Sequence, residues 1–278
     1  MKDTRSLRER YDDVRERVAR AAEKSGRRAS DVMLVAVTKY ASIEDIRELV
    51  SYGHIDLGEN RVQQLVQRAA IIEEFSNRRR ERGAAPSAPS VRWHMIGSLQ
   101  RNKVRQAIEV SKLIHSVDSL RLAEELQDFA EERASGPGGE SIGPVDVLVE
   151  VNISGERSKH GVAPAAARHL VDMIDTMVAL RPRGIMCMAP TPKAGEEASL
   201  DDARRVFTRC KEIFDEIRAI GSGGERFDIL SMGMSDDFEV AIECGANLVR
   251  VGSAIFGESK STTDKDDDKD DDEDDDEK

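Results

Sequence analysis

The sequence of 278 residues has few cysteines, no long apolar run and no excess of basic residues. Its three cysteines, Cys187, Cys210 and Cys244, lack close spacing, so the sequence contains neither a disulfide framework nor a metal-ligand pattern. This use of cysteine predicts a reducing compartment. The longest apolar runs, such as Val32 to Val37, are much shorter than the roughly 18 residues of a membrane-spanning helix. We therefore expect no membrane association.

The acidic residues are concentrated at the carboxyl terminus. Residues 264–278 contain 12 acids and 3 lysines, whereas the other 263 residues contain 42 acids and 39 bases. A nearly neutral body lacks the cationic face that binds a phosphate backbone, so nucleic-acid binding is not expected. Residues 258–278 combine almost no apolar side chain with dense like charge, which predicts a disordered acidic tail. The tail either solvates the protein or recruits a partner.

The amino terminus begins with a charged amphipathic segment. Apolar residues from Leu7 to Ala22 recur at helical spacing, which predicts a helix over residues 4–25 that ends near Gly26. The segment has no apolar stretch of the signal-peptide type, and its acidic residues argue against an organellar transit peptide. We therefore expect a cytoplasmic protein.

Short β-branched runs alternate with amphipathic segments through the rest of the body. The run Val32–Lys39 is typical of a strand that is buried on both faces of a parallel sheet. Eight such strands are predicted, and they begin at residues 32, 54, 91, 113, 145, 184, 228 and 247. Ser42 and Asp45 favour a helix start after the first strand. Further helices are predicted over residues 62–80, 100–110, 119–133, 163–180, 200–220 and 238–243.

This alternation predicts an α/β fold, a single (β/α)8 TIM barrel over residues 1–257 with an extra N-terminal helix and a disordered acidic C-terminal tail. Segments rich in Gly, Pro, Ser and Ala at residues 83–89 and 135–144 are interpreted as surface loops within that domain.

Functional groups in such barrels lie at the C-terminal ends of the strands. Lys39 ends the first strand, where partial desolvation would favour the neutral amine that attacks carbonyl groups. The alternative is an ordinary surface lysine in a strand-to-helix loop. After strands seven and eight, Gly233 and Gly252 allow a close backbone approach. Ser235 and Ser253 add hydroxyl groups at the positions where barrels often bind phosphate.

Arg250 lies two residues before Gly252, so its side chain can share the inner face of the barrel mouth. A buried arginine needs a partner, which is either a ligand or an internal acid such as Glu59. A phosphate site near a candidate imine-forming lysine indicates a phosphorylated aldehyde, and pyridoxal 5'-phosphate (PLP) is the common example.

Six segments of the chain are long and distinctive enough to be compared with known families. They are, in order, VAVTKYASIEDI, DLGENRVQQL, WHMIGSLQRNKV, VLVEVNISGERSKHGV, GIMCMAP and LSMGMSDDFEVAIECGANLVRVGSAIFG. These segments resemble the pyridoxal-phosphate homeostasis protein family, also described as proline synthetase co-transcribed homologues. The resemblance covers about residues 5–257 and implies a fold-type III, alanine-racemase-like barrel with PLP as its cofactor.

The resemblance also implies a role for each matching residue. Lys39 would hold PLP as a Schiff base, and Arg250 would face the pyridine nitrogen. Ser235, Gly252 and Ser253 would hold the phosphate, and the residues lining the cofactor would be Asn60, His94 and Met232. A guanidinium beside the ring nitrogen discourages its protonation, so the ring would be a weaker electron sink.

Three functions remain open at this point. The family resemblance implies a vitamin B6 homeostasis protein without an assigned reaction, which sequesters PLP and delivers it to apo PLP-dependent enzymes. The alternative is an amino-acid racemase, but racemases of this fold take a second base, a tyrosine, from a separate domain of a partner subunit. None of Tyr11, Tyr40 and Tyr52 matches that role, so we favour the carrier. The third possibility is a scaffold whose acidic tail recruits basic partners. A lone barrel favours a monomer.

Overall fold

The computed structural model describes residues 4–81, 90–136, 143–191 and 199–257. Eight parallel strands form a closed barrel in the order of the sequence, which confirms the predicted (β/α)8 fold. Pairing of Val35 with Arg250 joins the first strand to the last and closes the barrel. The strands are β1 (Met33–Val37), β2 (Asp56–Glu59), β3 (Arg92–Met95), β4 (Ser111–Val117), β5 (Val145–Glu150), β6 (Leu180–Met186), β7 (Ile229–Ser231) and β8 (Leu248–Val251).

Helices surround the barrel. In the described ranges they are α1 (Leu7–Lys24), α2 (Ile43–Ser51), α3 (Val62–Glu81), α4 (Val104–Val110), α5 (Leu120–Ala134), α6 (Pro164–Asp175), α7 (Leu200–Ala219), α8 (Phe238–Glu243) and α9 (Ser253–Phe256). Two short 3-10 turns, Ala29–Asp31 and Arg101–Lys103, precede β1 and α4. As expected, the Ser42 side chain caps α2 by accepting a hydrogen bond from the Asp45 amide. None of these helices has the length and apolarity needed to cross a membrane.

Two adjoining predicted boundaries are wrong. The helix expected over residues 163–180 ends at Asp175, and β6 begins at Leu180 rather than at residue 184. Apolar side chains continue the helical pattern past the end of α6, but one of them, Val178, is 79% exposed. The predicted loop at 83–89 and the acidic tail at 258–278 lie outside the described residues, as does most of the loop at 135–144.

Helix α1 joins the two ends of the folded chain. It begins with a capping box in which Ser6 and Glu9 exchange hydrogen bonds. Its Arg17 forms an ion pair with Glu239 of α8 at 2.6 Å. Arg10 donates a hydrogen bond from Nε to the carbonyl oxygen of Ile255 in α9 at 2.8 Å. The predicted extra N-terminal helix is therefore packed on the last elements of the barrel.

The barrel interior is filled by inward-facing side chains of alternate residues. One apolar cluster contains Val35, Leu113, Leu148, Met186 and Leu248. Because the side-chain period of a strand is two, the residues two positions closer to the C-terminal end share this inner face. Polar groups follow the apolar cluster on three of these strands, and they are His115, Glu150 and Arg250.

At Gly184 of β6, the backbone of β7 leaves no room for a side chain. The φ of this glycine, +153°, is rarely adopted by residues with a side chain, and a Cβ atom there would lie 1.7 Å from the carbonyl oxygen of Ile229. We expect Gly184→Ala to lower the free energy of unfolding by about 3 kcal/mol, because the strand must shift to relieve the clash. Urea denaturation followed by circular dichroism measures this loss.

Gly143→Ala is the matched control, because nothing lies within 4 Å of a Cβ atom at Gly143 and its φ is ordinary. A Gly184→Ala protein with the unfolding midpoint of the control would contradict the expected close contact.

Candidate functional site

Lys39 lies two residues beyond the end of β1, at the C-terminal mouth of the barrel. The expectation that it is partly desolvated is wrong, because its side chain is exposed. Its Nζ lies 4.6 Å from the centroid of the Tyr40 ring. No described residue forms an ion pair or hydrogen bond with this amine. The amine is therefore accessible to a carbonyl compound.

A buried ion pair holds the segment that carries Lys39. Arg68 of α3 contacts Glu59 Oε2 at 2.6 Å, and Glu59 is fully buried at the end of β2. Arg68 also donates hydrogen bonds to the carbonyl oxygens of Thr38 and, at 3.2 Å, Ala41. The Thr38 hydroxyl lies 2.8 Å from the same Glu59 oxygen. One arginine thus fixes the turn on both sides of Lys39.

Loops after β7 and β8 meet beside this turn. The Ser235 hydroxyl oxygen accepts hydrogen bonds from the amides of Gly252 at 3.2 Å and Ala254 at 3.3 Å. Both lone pairs of Ser235 are thereby used, which leaves its proton for an external acceptor. Ser253 begins α9 with an exposed side chain. A Cβ atom at Gly252 would lie 3.3 Å from the Val37 carbonyl oxygen, so glycine keeps this loop close to β1.

Arg250 is buried below these loops, with 4% exposure. It donates hydrogen bonds to the Ser231 hydroxyl at 2.6 Å and to the Cys187 carbonyl oxygen at 3.0 Å. Burial lowers the pKa of the Arg250 guanidinium from its ordinary value. The alternative of a salt bridge from Arg250 to Glu59 is wrong, because Glu59 is paired with Arg68.

The remaining predicted residues occupy two different environments. Asn60 is half-buried at the end of β2 and packs against Gly97, where a Cβ atom would lie 2.8 Å from the Asn60 Cβ. His94 is buried inside the barrel, and Met232 is fully buried in the apolar layer around it. The structure thus gathers six predicted residues at the ends of β1, β2, β7 and β8. They are Lys39, Asn60, Ser235, Arg250, Gly252 and Ser253.

The sequence reasoning missed Glu150, the last residue of β5, although an acid that ends an otherwise apolar strand is a visible signal. Glu150 is 4% exposed and faces the same interior as Arg250. Burial, followed by repulsion from Asp118, raises the pKa of Glu150 to about 7, while His160 and Arg250 oppose the rise. Its charge therefore changes near neutral pH.

A cavity lies at the other end of the barrel. It has a volume of about 1040 Å³ and is bounded by α1 and the N-terminal ends of the strands. Asp56 and Arg92, which form an ion pair at 2.6 Å, belong to its wall. The predicted site residues at the mouth do not line this cavity.

We expect Arg68→Ala to lower the free energy of unfolding by about 3 to 5 kcal/mol, since it leaves Glu59 buried without a counter-charge. Urea denaturation measures the loss. Arg78→Ala on the same helix is the control: its pair with Glu74 is exposed, and its removal should cost about 0.5 kcal/mol or less. Equal losses in the two variants would contradict the proposed role of the buried pair.

The raised pKa of Glu150 also predicts how the free energy of unfolding changes with pH. The folded state binds the Glu150 proton more tightly than the unfolded state does. As pH rises from the ordinary pKa of a glutamate through about 7, ionisation of Glu150 therefore lowers the free energy of unfolding. We expect Glu150→Gln to raise the free energy of unfolding above pH 8 by about 3 kcal/mol, at roughly 1.4 kcal/mol per pKa unit. The gain should vanish near pH 4. Denaturant titrations at several pH values test this, and a pH-independent difference would contradict it.

Comparison with known proteins assigns the family. The family model described as "Alanine racemase, N-terminal domain" matches residues 10–260. A pyridoxal phosphate homeostasis protein of Aquifex aeolicus is 34% identical over 91% of this chain and 98% of its own length. The corresponding protein of Pseudomonas aeruginosa is 35% identical over 88% of this chain and 92% of its own.

Solved structures agree with this assignment. PipY of Synechococcus elongatus, solved with PLP bound, has a TM-score of 0.72 and 28% identity, with 91% of this chain and 100% of PipY covered. Alanine racemase of Clostridium difficile has a TM-score of 0.60 at 15% identity over 92% of this chain and 57% of its own, which shows the shared barrel fold. The chain thus belongs to the pyridoxal phosphate homeostasis proteins, within the alanine racemase N-terminal domain family.

Proposed function

We propose that this protein binds PLP through Lys39 and acts as a carrier that sequesters the cofactor and delivers it to apo enzymes. The observation that carries the proposal is that the accessible Lys39 amine follows the end of β1, where the loop after β8 packs against Val37 and meets the loop after β7. The similarity to pyridoxal phosphate homeostasis proteins, and to a PipY structure described as containing PLP, supports the same ligand.

The residues at the mouth fit the groups of PLP. The Lys39 Nζ would attack the aldehyde carbon and form a carbon–nitrogen double bond with release of one water. The Ser235 hydroxyl proton and the exposed Ser253 side chain would bind the phosphate. When bound, the cofactor supplies an electrophilic carbon and a conjugated ring.

Arg250 favours binding over catalysis of carbanion reactions. A guanidinium is permanently protonated, so at the ring nitrogen it offers only donors and disfavours a second positive charge there. An unprotonated ring withdraws electrons less strongly. We therefore expect the Arg250 position to limit the reactions that a protonated ring would promote.

The positions of the tyrosines also argue against the racemase alternative. Tyr11 is buried on α1 and its hydroxyl bonds to His54 Nδ1 at 3.1 Å, next to the N-terminal ends of the strands. Tyr52, at the end of α2, stacks on Tyr11. Tyr40 is 67% exposed, and its ring faces the Lys39 amine. None of the three provides a second base across the mouth from Lys39.

We expect incubation with PLP and then borohydride to leave a pyridoxyl group on Lys39, located by peptide mass spectrometry. Lys39→Ala should lose the adduct, because Lys39 has an accessible amine, whereas the amine of Lys159 after β5 is bound by Glu156 at 2.9 Å. Lys112→Ala is the control, since Lys112 is exposed at the N-terminal end of β4. An unmodified wild-type Lys39 would refute PLP binding at this site.

Delivery is measured with the same PLP-bound protein. Mixing it with the apo form of a PLP-dependent enzyme should restore activity to that enzyme while the carrier loses PLP. Steady conversion of an L-amino acid to its D form, without loss of PLP, would instead establish the racemase alternative.

A further inference from the structure

A continuous line of hydrogen bonds crosses the barrel interior beneath the mouth. His94 Nε2 lies 3.2 Å from Asp56 Oδ1, and His94 Nδ1 lies 3.1 Å from His115 Nε2. His115 Nδ1 is 3.1 Å from the Ser231 hydroxyl, which Arg250 contacts at 2.6 Å. All five side chains are buried, and they come from β2, β3, β4, β7 and β8. The line thus connects opposite walls of the barrel.

The arginine end of the line determines which atom donates and which accepts in each hydrogen bond. A guanidinium can only donate, so the Ser231 oxygen accepts from Arg250 and can turn its own proton to His115 Nδ1. His115 then carries its proton on Nε2 and donates it to His94 Nδ1. His94 likewise carries its proton on Nε2, which faces Asp56.

With a neutral His94, the aspartate end requires the same direction. Arg92 binds both oxygens of Asp56, at 2.7 and 2.6 Å. Although burial raises the pKa of Asp56, the hydrogen bonds from His94 and Arg92 lower it below its ordinary value. An ionised carboxylate only accepts, so it needs the N–H of His94. The opposite order would require a second proton on His94.

A neutral His115 is also favoured by its surroundings. It is fully buried, and burial, followed by the charges of His94 and Arg250, lowers its pKa well below the ordinary value.

The charged groups around Arg250 are Glu150 of β5 and Asp237 before α8, but neither lies within ion-pair distance of its guanidinium in the described residues.

We propose that Ser231, His115 and His94 are positioning residues that hold the Arg250 guanidinium in one orientation through a fixed order of protons anchored at Asp56. The inference deepens the proposed function, because the Arg250 donors that remain are then directed at the cofactor ring. It also makes Asp56, in the wall of the cavity at the N-terminal face, part of the support of a site at the opposite face.

The proton order is measured directly in the full-length protein without PLP. Two-bond ¹H–¹⁵N correlation spectra distinguish the two neutral tautomers of histidine, and the chain has only five histidines. We expect His94 and His115 to carry the proton on Nε2, with the signals assigned by His94→Gln and His115→Gln. A proton on Nδ1 of either residue would overturn the proposal.

A serine pair tests the coupling along the line. Ser231→Ala removes the donor to His115 Nδ1, so the His115 signals should become a mixture of tautomers. Ser116→Ala is the matched control, because Ser116 is also a buried strand serine but its hydroxyl has no hydrogen-bond partner among the described residues. Wild-type tautomers in Ser231→Ala, or the same mixture in Ser116→Ala, would overturn the proposal.

PLP titration separates this inference from the proposed function. Ser231→Ala should weaken PLP binding about tenfold, the effect of one charge-assisted hydrogen bond, whereas Ser116→Ala should bind as the wild type does. Unchanged affinity in Ser231→Ala would refute the positioning role while leaving PLP binding intact. Absence of PLP binding to the wild type would refute the proposed function, and the tautomer spectra would still decide the proton order.

Discussion

The placement of the Arg250 guanidinium inside the barrel is the constraint on which the rest of the site depends. A charge in a medium of low polarity must be compensated by nearby dipoles or by an opposite charge. Here the described contacts are neutral, namely the Ser231 hydroxyl and the Cys187 carbonyl oxygen. The carboxyl groups that influence Arg250, on Glu150 and Asp237, act at longer range. The site is therefore electropositive at its base and suited to an acceptor that enters from the mouth.

The barrel separates this electropositive base from the accessible Lys39 amine at the mouth. Lys39 lies in an exposed turn held by the Arg68–Glu59 pair, whereas Arg250 is fixed within the strand layer. Register places the two on the same side of the barrel, because Val35 of β1 pairs with Arg250 of β8. A ligand that reaches both groups must span the distance from the mouth to the interior. A ring with an aldehyde on one side and a nitrogen on another has that shape.

Much of this arrangement could be predicted from the sequence, since local patterns determine it. The alternation of apolar runs and amphipathic segments predicted the eight strands, and the strand ends predicted that Lys39, Ser235 and Gly252 lie at the mouth. The environment of each group could not be predicted, because it depends on contacts made after the barrel closes. Ser231 and His115 are 116 positions apart, and only the strand register shows that they touch. Partial desolvation of Lys39 was expected, but its side chain is exposed, because no described residue packs over the turn after β1 closely enough to cover it.

Helix α1 has a consequence for the order in which the chain assembles. Its arginines bind Glu239 of α8 and the carbonyl oxygen of Ile255 in α9, which are among the last residues of the barrel to be synthesised. Contacts between such distant positions form late and slow the search for the native state. Helix α1 can therefore complete its docking only after α8 and α9 have been synthesised. Its contacts with Tyr52 and His54 form a second, earlier part of the same surface.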